Sequence, residues 1–481
     1  SDFVNSSYVY EHGLCMPSYP ELKKEQIEYV CNKLKDALNI NDFVWRGMNM
    51  VYLYKSEVPD LADSRFISDE DCTNYLTGFN SPEDLFESLK YDPDTVDRFS
   101  RIYENYFDLQ NQQSGTTLTN GLEFNFYRVP GSSTEVFGVI TLVLNNSVAD
   151  NVGLKRGQII RAVNNTNLTD SNYINLIYGQ NSNTLNFATY NDNGTPDTAD
   201  DTFELNGESA DLTKVTYTEN PVHVSEVLNV NNVNIGYLMY NGFNQNFDSD
   251  LNNAFGEFKS AGVTELVLDL RYNGGGSVQT AAYLGSMVTG QFNGEIYSKL
   301  FYNENLSNND RNYLFTNSIE NVGAINSLNL SKVYVLTTNR RTASASELII
   351  NSLKPYIEVV VIGENTVGKT QASRTIYDSP DFSFENVNQG HTYAMQPLIA
   401  NSTNVNDLLV PPNGIIPDIA ISEAFNTLGT LGDINEPLLA EAIAQITTTD
   451  RPANRSLVNE NLQLIEIAKP ISALEQDMYI D

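Results

Sequence analysis

Three short segments carry residue types that can do nucleophilic chemistry. The first is Thr342-Ala343-Ser344-Ala345-Ser346-Glu347, which follows an apolar strand-like run and opens a predicted helix. A serine at a helix N-terminus meets outward-pointing N–H groups and the positive end of the helix dipole. That setting suits a nucleophile whose product state carries an oxyanion, with the Ala345 N–H placed to donate to it. Serine also favours such positions for capping alone, and taken by itself capping is the simpler account. The second segment is Leu266–Ser277, LVLDLRYNGGGS, where a buried strand runs into Asn273-Gly274-Gly275-Gly276. Three glycines free the backbone for positive φ and close approach, and the Gly275 N–H is a second candidate oxyanion donor. The spacing fits neither GxGxxG nor GxxxxGK[ST], so the other reading is a tight turn rather than a phosphate loop. The third is Gly363-Glu364-Asn365-Thr366-Val367-Gly368-Lys369, behind the apolar run Val359–Ile362. Burial disfavours the ammonium form, so a desolvated Lys369 is suited to take a proton from a serine. Most lysines, by contrast, are solvated.

The elements that must position these residues follow from pattern. From about Val222 strands alternate with helices: strands at Val233–Tyr240, Glu265–Leu270, Lys332–Thr337 and Val359–Gly363, and helices at Asp248–Ala261, Val278–Val288, Ser344–Leu353 and Leu438–Ile446. That alternation implies an α/β layered core with crossovers over 222–446. Ahead of it, strand-like runs at Leu122–Val129, Val136–Leu144 and Gln158–Val163, with a turn-rich stretch Asn191–Asp201, make a small β-rich module at 119–215. Residues 1–110 read as helical. Tyr19–Leu38 is amphipathic with Pro20 at its start, Ser81-Pro82-Glu83-Asp84 is a helix start capped by Ser81, and Asp94–Leu109 continues the pattern. Polar residues 111–120 lack periodicity and mark a boundary. Residues 447–481 form a tail. The expected class is therefore mixed α/β (α+β) in several domains, as a chain of 481 residues requires.

Composition narrows the rest. A net charge of −33 argues against nucleic-acid binding, which needs clustered Lys and Arg. Cys15, Cys31 and Cys72 lack metal-ligand spacing and allow at most one disulfide. The histidines are His12, His223 and His391, so neither a His-rich metal site nor any other metal is expected. No run of 18 apolar residues occurs, so no membrane-spanning helix is expected. The first residue is Ser1, which fits a trimmed form and leaves room for a lipid anchor upstream.

Each chemical segment alone is ambiguous, but together they resemble the C-terminal-processing, or tail-specific, serine peptidases. Asp269-Leu270-Arg271-Tyr272-Asn273-Gly274-Gly275-Gly276 is similar to that family's DLRxNxGG segment, and Ala343-Ser344-Ala345-Ser346-Glu347 to its SASE segment. Gly368-Lys369 matches its lysine segment, and Gly414-Ile415-Ile416-Pro417-Asp418-Ile419 its GxxPDI segment. Lys369 follows Ser344 by 25 residues, the family spacing, which selects Ser344 over Ser346. The resemblance covers roughly 119–446. It implies a crotonase-like, ClpP-like peptidase core and a Ser344/Lys369 dyad with Gly275 and Ala345 as oxyanion donors. It also implies no cofactor, protein or peptide substrates, and a bacterial cell envelope, periplasmic and with lipid anchoring allowed.

The family further implies a PDZ module at 119–215, with Gly121-Leu122-Glu123-Phe124 at the loop that holds a peptide carboxylate. The pattern departs in two places. The family's Gln four residues after the lysine is Ser373 here, while a Gln stands at Gln371, and the asparagine-proline of the glycine segment is Asn273-Gly274. Gln371 is the expected third member. The alternatives are an inactive peptide-binding scaffold, a tricorn-like Ser/His peptidase using His223 or His391, and an acyl-CoA enzyme on the same core.

Overall fold

The computed structural model describes residues 24–448 except 340, together with 462, 464, 465 and 478–480; side chains are described from residue 36. The expected helix at Tyr19–Leu38 falls partly outside this range, as do Pro20 and Cys15. The helix present runs from Lys24 to Val51. The described chain forms two compact units. One comprises residues up to 109 with 301–310 and 373–401, and the other holds 110–300, 311–372 and 402 onward.

The larger unit is built on a six-stranded sheet. Its elements are β1 (Val222–Val230), β2 (Val233–Tyr240), α1 (Asp248–Ser260), β3 (Glu265–Asp269), α2 (Val278–Thr289), β4 (Lys332–Thr337), α3 (Ala345–Leu353), β5 (Glu358–Gly363), β6 (Ile419–Ala420) and α4 (Pro437–Thr447). The strands lie in sequential order, with β1 antiparallel to β2 and β2 to β6 parallel. Parallel strands need covered faces, so they read as near-continuous apolar runs: Leu266-Val267-Leu268 and Val333-Tyr334-Val335-Leu336 are buried throughout. Tyr237, Val267, Leu336 and Ile362 pack with Leu438, Leu439 and Ala442 of α4. The loops that carry chemistry leave from the carboxyl ends of β3, β4 and β5, where open α/β sheets place their sites.

The β-rich module forms a second sheet in the same unit. Strands Leu122–Arg128, Val136–Val143, Ile159–Val163, Ser182–Asn191 and Thr202–Thr213 follow one another in the ladder. Its core includes Phe124, Phe126, Ile140, Ile160 and Leu185. The outer edge of Leu122–Arg128 is not open. Leu464 and Ile465 pair antiparallel with Tyr127 and Phe126. The stretch 111–120, expected as a structureless boundary, contains the strand Thr116–Thr119, which pairs antiparallel with Val215–Thr218.

The smaller unit is helical at its start. Ser81 caps Pro82–Ser88, its side chain accepting from Asp84 N–H, as expected. The helix expected over Asp94–Leu109 is replaced: Arg101–Tyr103 is a strand paired antiparallel with Ala394–Gln396, and the helix begins only at Tyr106. Residues 301–310 join this unit through Asn303, whose amide donates to the Tyr52 carbonyl at 3.0 Å. Leu53 N–H donates to Leu398 O at 2.8 Å. Non-local partners of this kind are invisible to local pattern, so both stretches read from sequence as part of the α/β core.

Candidate active site

Ser344 stands at the N-cap of α3 with φ 64° and ψ −116°, a combination that an L-residue with a side chain adopts only under strain. An ordinary capping serine is extended, as Ser81 is at φ −150°. Capping therefore does not explain the backbone of Ser344, whereas a sharp strand-to-helix elbow that projects Oγ does. Ser346 is different: its hydroxyl donates to Asn273 O at 2.9 Å and serves the scaffold.

The elbow is held by buried hydroxyls. Thr342 Oγ1 donates to Leu270 O at 2.9 Å and accepts Thr338 N–H at 2.9 Å. Ala343 N–H donates to Asn273 O at 3.2 Å. These bonds fix the turn after β4 to the glycine turn after β3. Gly275, at φ 122°, lies directly against Ser344; a Cβ there would fall 2.6 Å from Ser344 Cβ and 3.1 Å from Ala345 N. Only glycine fits. The Gly275 N–H donates to Asn273 Oδ1 at 2.9 Å, so it is committed to its own turn and not directed at Ser344. Ala345 opens α3, and N–H groups in a first helical turn have no intrahelical acceptor.

Lys369 is 1% exposed. Its loop is bound to the elbow by Glu347, a fully buried carboxylate in the first turn of α3. Glu347 Oε2 accepts Ser344 N–H at 2.8 Å and Lys369 N–H at 2.8 Å. Glu347 Oε1 accepts Gly368 N–H at 2.6 Å and the Thr366 hydroxyl at 2.5 Å. Burial pushes this carboxyl up, and the four hydrogen bonds oppose that rise. One side chain thus sets the backbones of Ser344 and Lys369 together. Sequence reasoning gave Glu347 no role, although its place three residues after Ser344 is the spacing of a capping box. Behind the loop, Gly368 and Gly414 back onto one another's segments, and Ile415 N–H donates to Thr366 Oγ1 at 2.7 Å. This gives the Gly414–Ile419 segment a supporting role.

Arg271 of the glycine segment is structural. Fully buried, it meets Asp269 at 2.8 Å, Glu436 at 2.6 Å and Glu423 at 2.9 Å. Arg156 of the β-rich module pairs with the same Glu423 and with the Tyr272 hydroxyl. Burial works against ionisation of Glu423, but Arg156 and Arg271 outweigh it and hold the carboxyl at about 2. Apart from Asp269, two residues before Arg271, nothing in the sequence paired these residues, because those partners lie more than 100 positions apart.

The remaining expected residues sit as follows. Gln371 opens the strand Gln371–Ser373, half-buried, and Ser373 is fully buried. Leu122, Glu123 and Phe124 are buried. The amides expected to hold a peptide carboxylate are engaged within their own loop: Gly121 N–H donates to Thr119 Oγ1 and Leu122 N–H to Asn120 Oδ1. Glu123 forms an ion pair with Arg341 of the elbow. His223 lies within β1, and burial lowers its pKa to about 4. His391 belongs to the smaller unit, where Nε2 meets Asp378 at 3.1 Å. Among the described residues, no group of three or more His, Cys, Asp and Glu side chains could hold a metal ion, and no helix is long and apolar enough to cross a membrane. Cys72 is a free thiol.

A strained serine at a helix start, beside a glycine turn and tied to a buried lysine, is an arrangement compatible with a serine-type peptidase. The chain belongs to peptidase family S41: the family's model matches residues 234–421, and that of the peptidase S41 N-terminal domain matches residues 39–101. The chain is 26% identical over 170 residues to a carboxyl-terminal-processing protease of Picosynechococcus sp., covering 35% of this chain and 37% of that one. It is 28% identical over 193 residues to the chloroplastic C-terminal processing peptidase of Tetradesmus obliquus, with 37% of each covered. The matched stretch thus spans well under half the length of these two curated relatives. A crystal structure from Bacteroides fragilis NCTC 9343, described as an S41 protease, superposes with a TM-score of 0.68 at 27% identity, covering 84% of this chain and 96% of that one.

Proposed function

We propose that the chain is a serine endopeptidase of the C-terminal-processing type, acting on unfolded or tail segments of proteins through a Ser344/Lys369 dyad. The observation that carries this reading is the strained Ser344 elbow joined to buried Lys369 through Glu347. Lys369 Nζ, as the neutral amine, takes the proton as Ser344 Oγ attacks the scissile carbonyl carbon. The tetrahedral oxyanion is met by the Ala345 N–H, and by the Gly275 N–H once it leaves Asn273 Oδ1. The lysine ammonium then gives its proton to the departing amine, and the acyl-serine forms. Water, deprotonated by the same amine, releases the acyl group and restores Ser344.

Gln371 is assigned the orienting role beside Lys369. The β-rich module is read as PDZ-like, with an extended peptide adding to the edge of Leu122–Arg128. The location that suits this reading is a bacterial cell envelope. The experiment is incubation of unfolded casein with the protein and with Ser344→Ala. The expected result is cleavage by the first alone; equal cleavage by both overturns the assignment.

A further inference from the structure

Among the described residues beyond Thr447, Leu464–Ile465 and Met478–Ile480 each meet a strand edge of the kind that would hold an extended substrate. Leu464–Ile465 adds antiparallel to the outer edge of Leu122–Arg128, and Ile465 packs on the core of the β-rich module. Met478–Ile480 lies at the nucleophile. Met478 N–H donates to Ser344 Oγ at 2.5 Å. Tyr479 N–H donates to Gly276 O at 3.1 Å, Val278 N–H donates to Tyr479 O at 3.3 Å, and Ser277 and Tyr479 form a parallel bridge. Met478, Tyr479 and Ile480 are all buried, at 0, 7 and 6% exposure.

These contacts use backbone groups, which any extended peptide offers. The edge at Gly276–Ser277 therefore reads a strand and not a particular side chain. Gly276 adopts φ 132°, and a Cβ there would fall 2.2 Å from Phe243 O, so the edge is drawn tightly against the Phe243 backbone. The nitrogen held at Ser344 belongs to the peptide bond that precedes Met478. An Oγ that accepts this N–H offers its lone pair to a hydrogen and not to a carbonyl carbon, so the bound form is unproductive.

We propose that Met478–Ile480, with Leu464–Ile465 on the module edge, is an intramolecular pseudosubstrate that extended peptide substrates must displace. The inference rests on the peptidase reading above. A tethered occupant competes at the effective concentration its linker sets, and it lowers apparent affinity by the fraction of molecules in which it is docked.

The test is the full chain carrying Met478→Pro and Tyr479→Pro, which removes both donated N–H groups while leaving the residues of both sheets unchanged. Three readouts are taken: casein hydrolysis, the rate of Ser344 labelling by a fluorophosphonate, and the melting temperature. The expected result is hydrolysis and labelling both faster by about tenfold, with the melting temperature held. A synthetic peptide spanning residues 474–481 should inhibit the variant competitively and inhibit the parent far less. Equal hydrolysis and equal labelling in parent and variant overturn the proposal and leave the peptidase reading standing. If neither protein cleaves casein, that reading fails on its own, and labelling still decides occupancy: faster in the variant supports it, equal rates overturn it.

Discussion

Ser344 bears a backbone strain that its side chain alone would not require. At φ 64° and ψ −116° a glycine is at ease, whereas an alanine keeps the steric conflict. Ser344→Gly should therefore be more stable than Ser344→Ala by about 1–2 kcal/mol in denaturant unfolding, with both inactive. Equal stabilities would mean the elbow is unstrained. Glu347 acts through others, as a positioning residue. Glu347→Gln keeps the shape but turns one acceptor oxygen into a donor facing N–H groups. The expected result is a fall in kcat of about 100-fold with KM little changed, since the proposed substrate edge at Gly276–Ser277 is untouched. A loss confined to KM would remove Glu347 from the dyad's support. At this scale spacing singled out Ser344 and Lys369, whose backbone N–H groups meet on one carboxylate. The sequence was not legible where that carboxylate reaches backbone N–H groups 21 and 22 residues away. Nor could it show that Asn273 holds the Gly275 N–H, because the same NGGG string permits either direction.

The elements were legible wherever burial writes a continuous pattern. Lys332–Thr337 and Val233–Tyr240 appear with the predicted bounds, and the helices of the core differ by a residue at most ends. The pattern failed where a strand is short and its partner distant. Arg101–Tyr103 lies in a stretch of helical periodicity but is held by Ala394–Gln396, and Thr116–Thr119 lies in a polar run but is held by Val215–Thr218. Strand formation depends on such neighbours more than on intrinsic preference.

The layers also set an acid response. Burial pushes the folded-state pKa of His223 down to about 4, against 6.5 ordinarily. The unfolded chain therefore binds the proton more readily, and stability is lost as pH falls from 6.5 through 4. Glu423 is held at about 2 against 4.5, so its contribution is present above 4.5 and is lost as pH falls toward 2. Melting temperature against pH should show both declines, and His223→Gln should flatten the upper one while leaving the lower. An upper decline unchanged in that variant would assign it to other groups.

At the scale of the whole molecule, the order of modules was legible from the change of period along the chain, from helical to β-rich to alternating. The assignment of 301–310 and 373–401 to the smaller unit was not, because their hydrogen-bond partners stand hundreds of positions away. The tail was the least legible part. Its apolar residues Leu464, Ile465, Met478, Tyr479 and Ile480 form no periodic pattern, and their meaning lies in the strand edges that receive them. A strained Ser344 near a buried Lys369, a glycine turn, and a strand edge met by Tyr479 are what the proposed reading, a peptidase that works on extended chain, brings together.

The central claim is that Lys369 is the base for Ser344. The most direct measurement is kcat/KM for an unfolded casein substrate with Lys369→Ala, at matched folding judged by melting temperature. The account predicts a fall of about 1,000-fold or more. A value within threefold or so of the parent would contradict it, since removing a true general base cannot leave the rate near its original value.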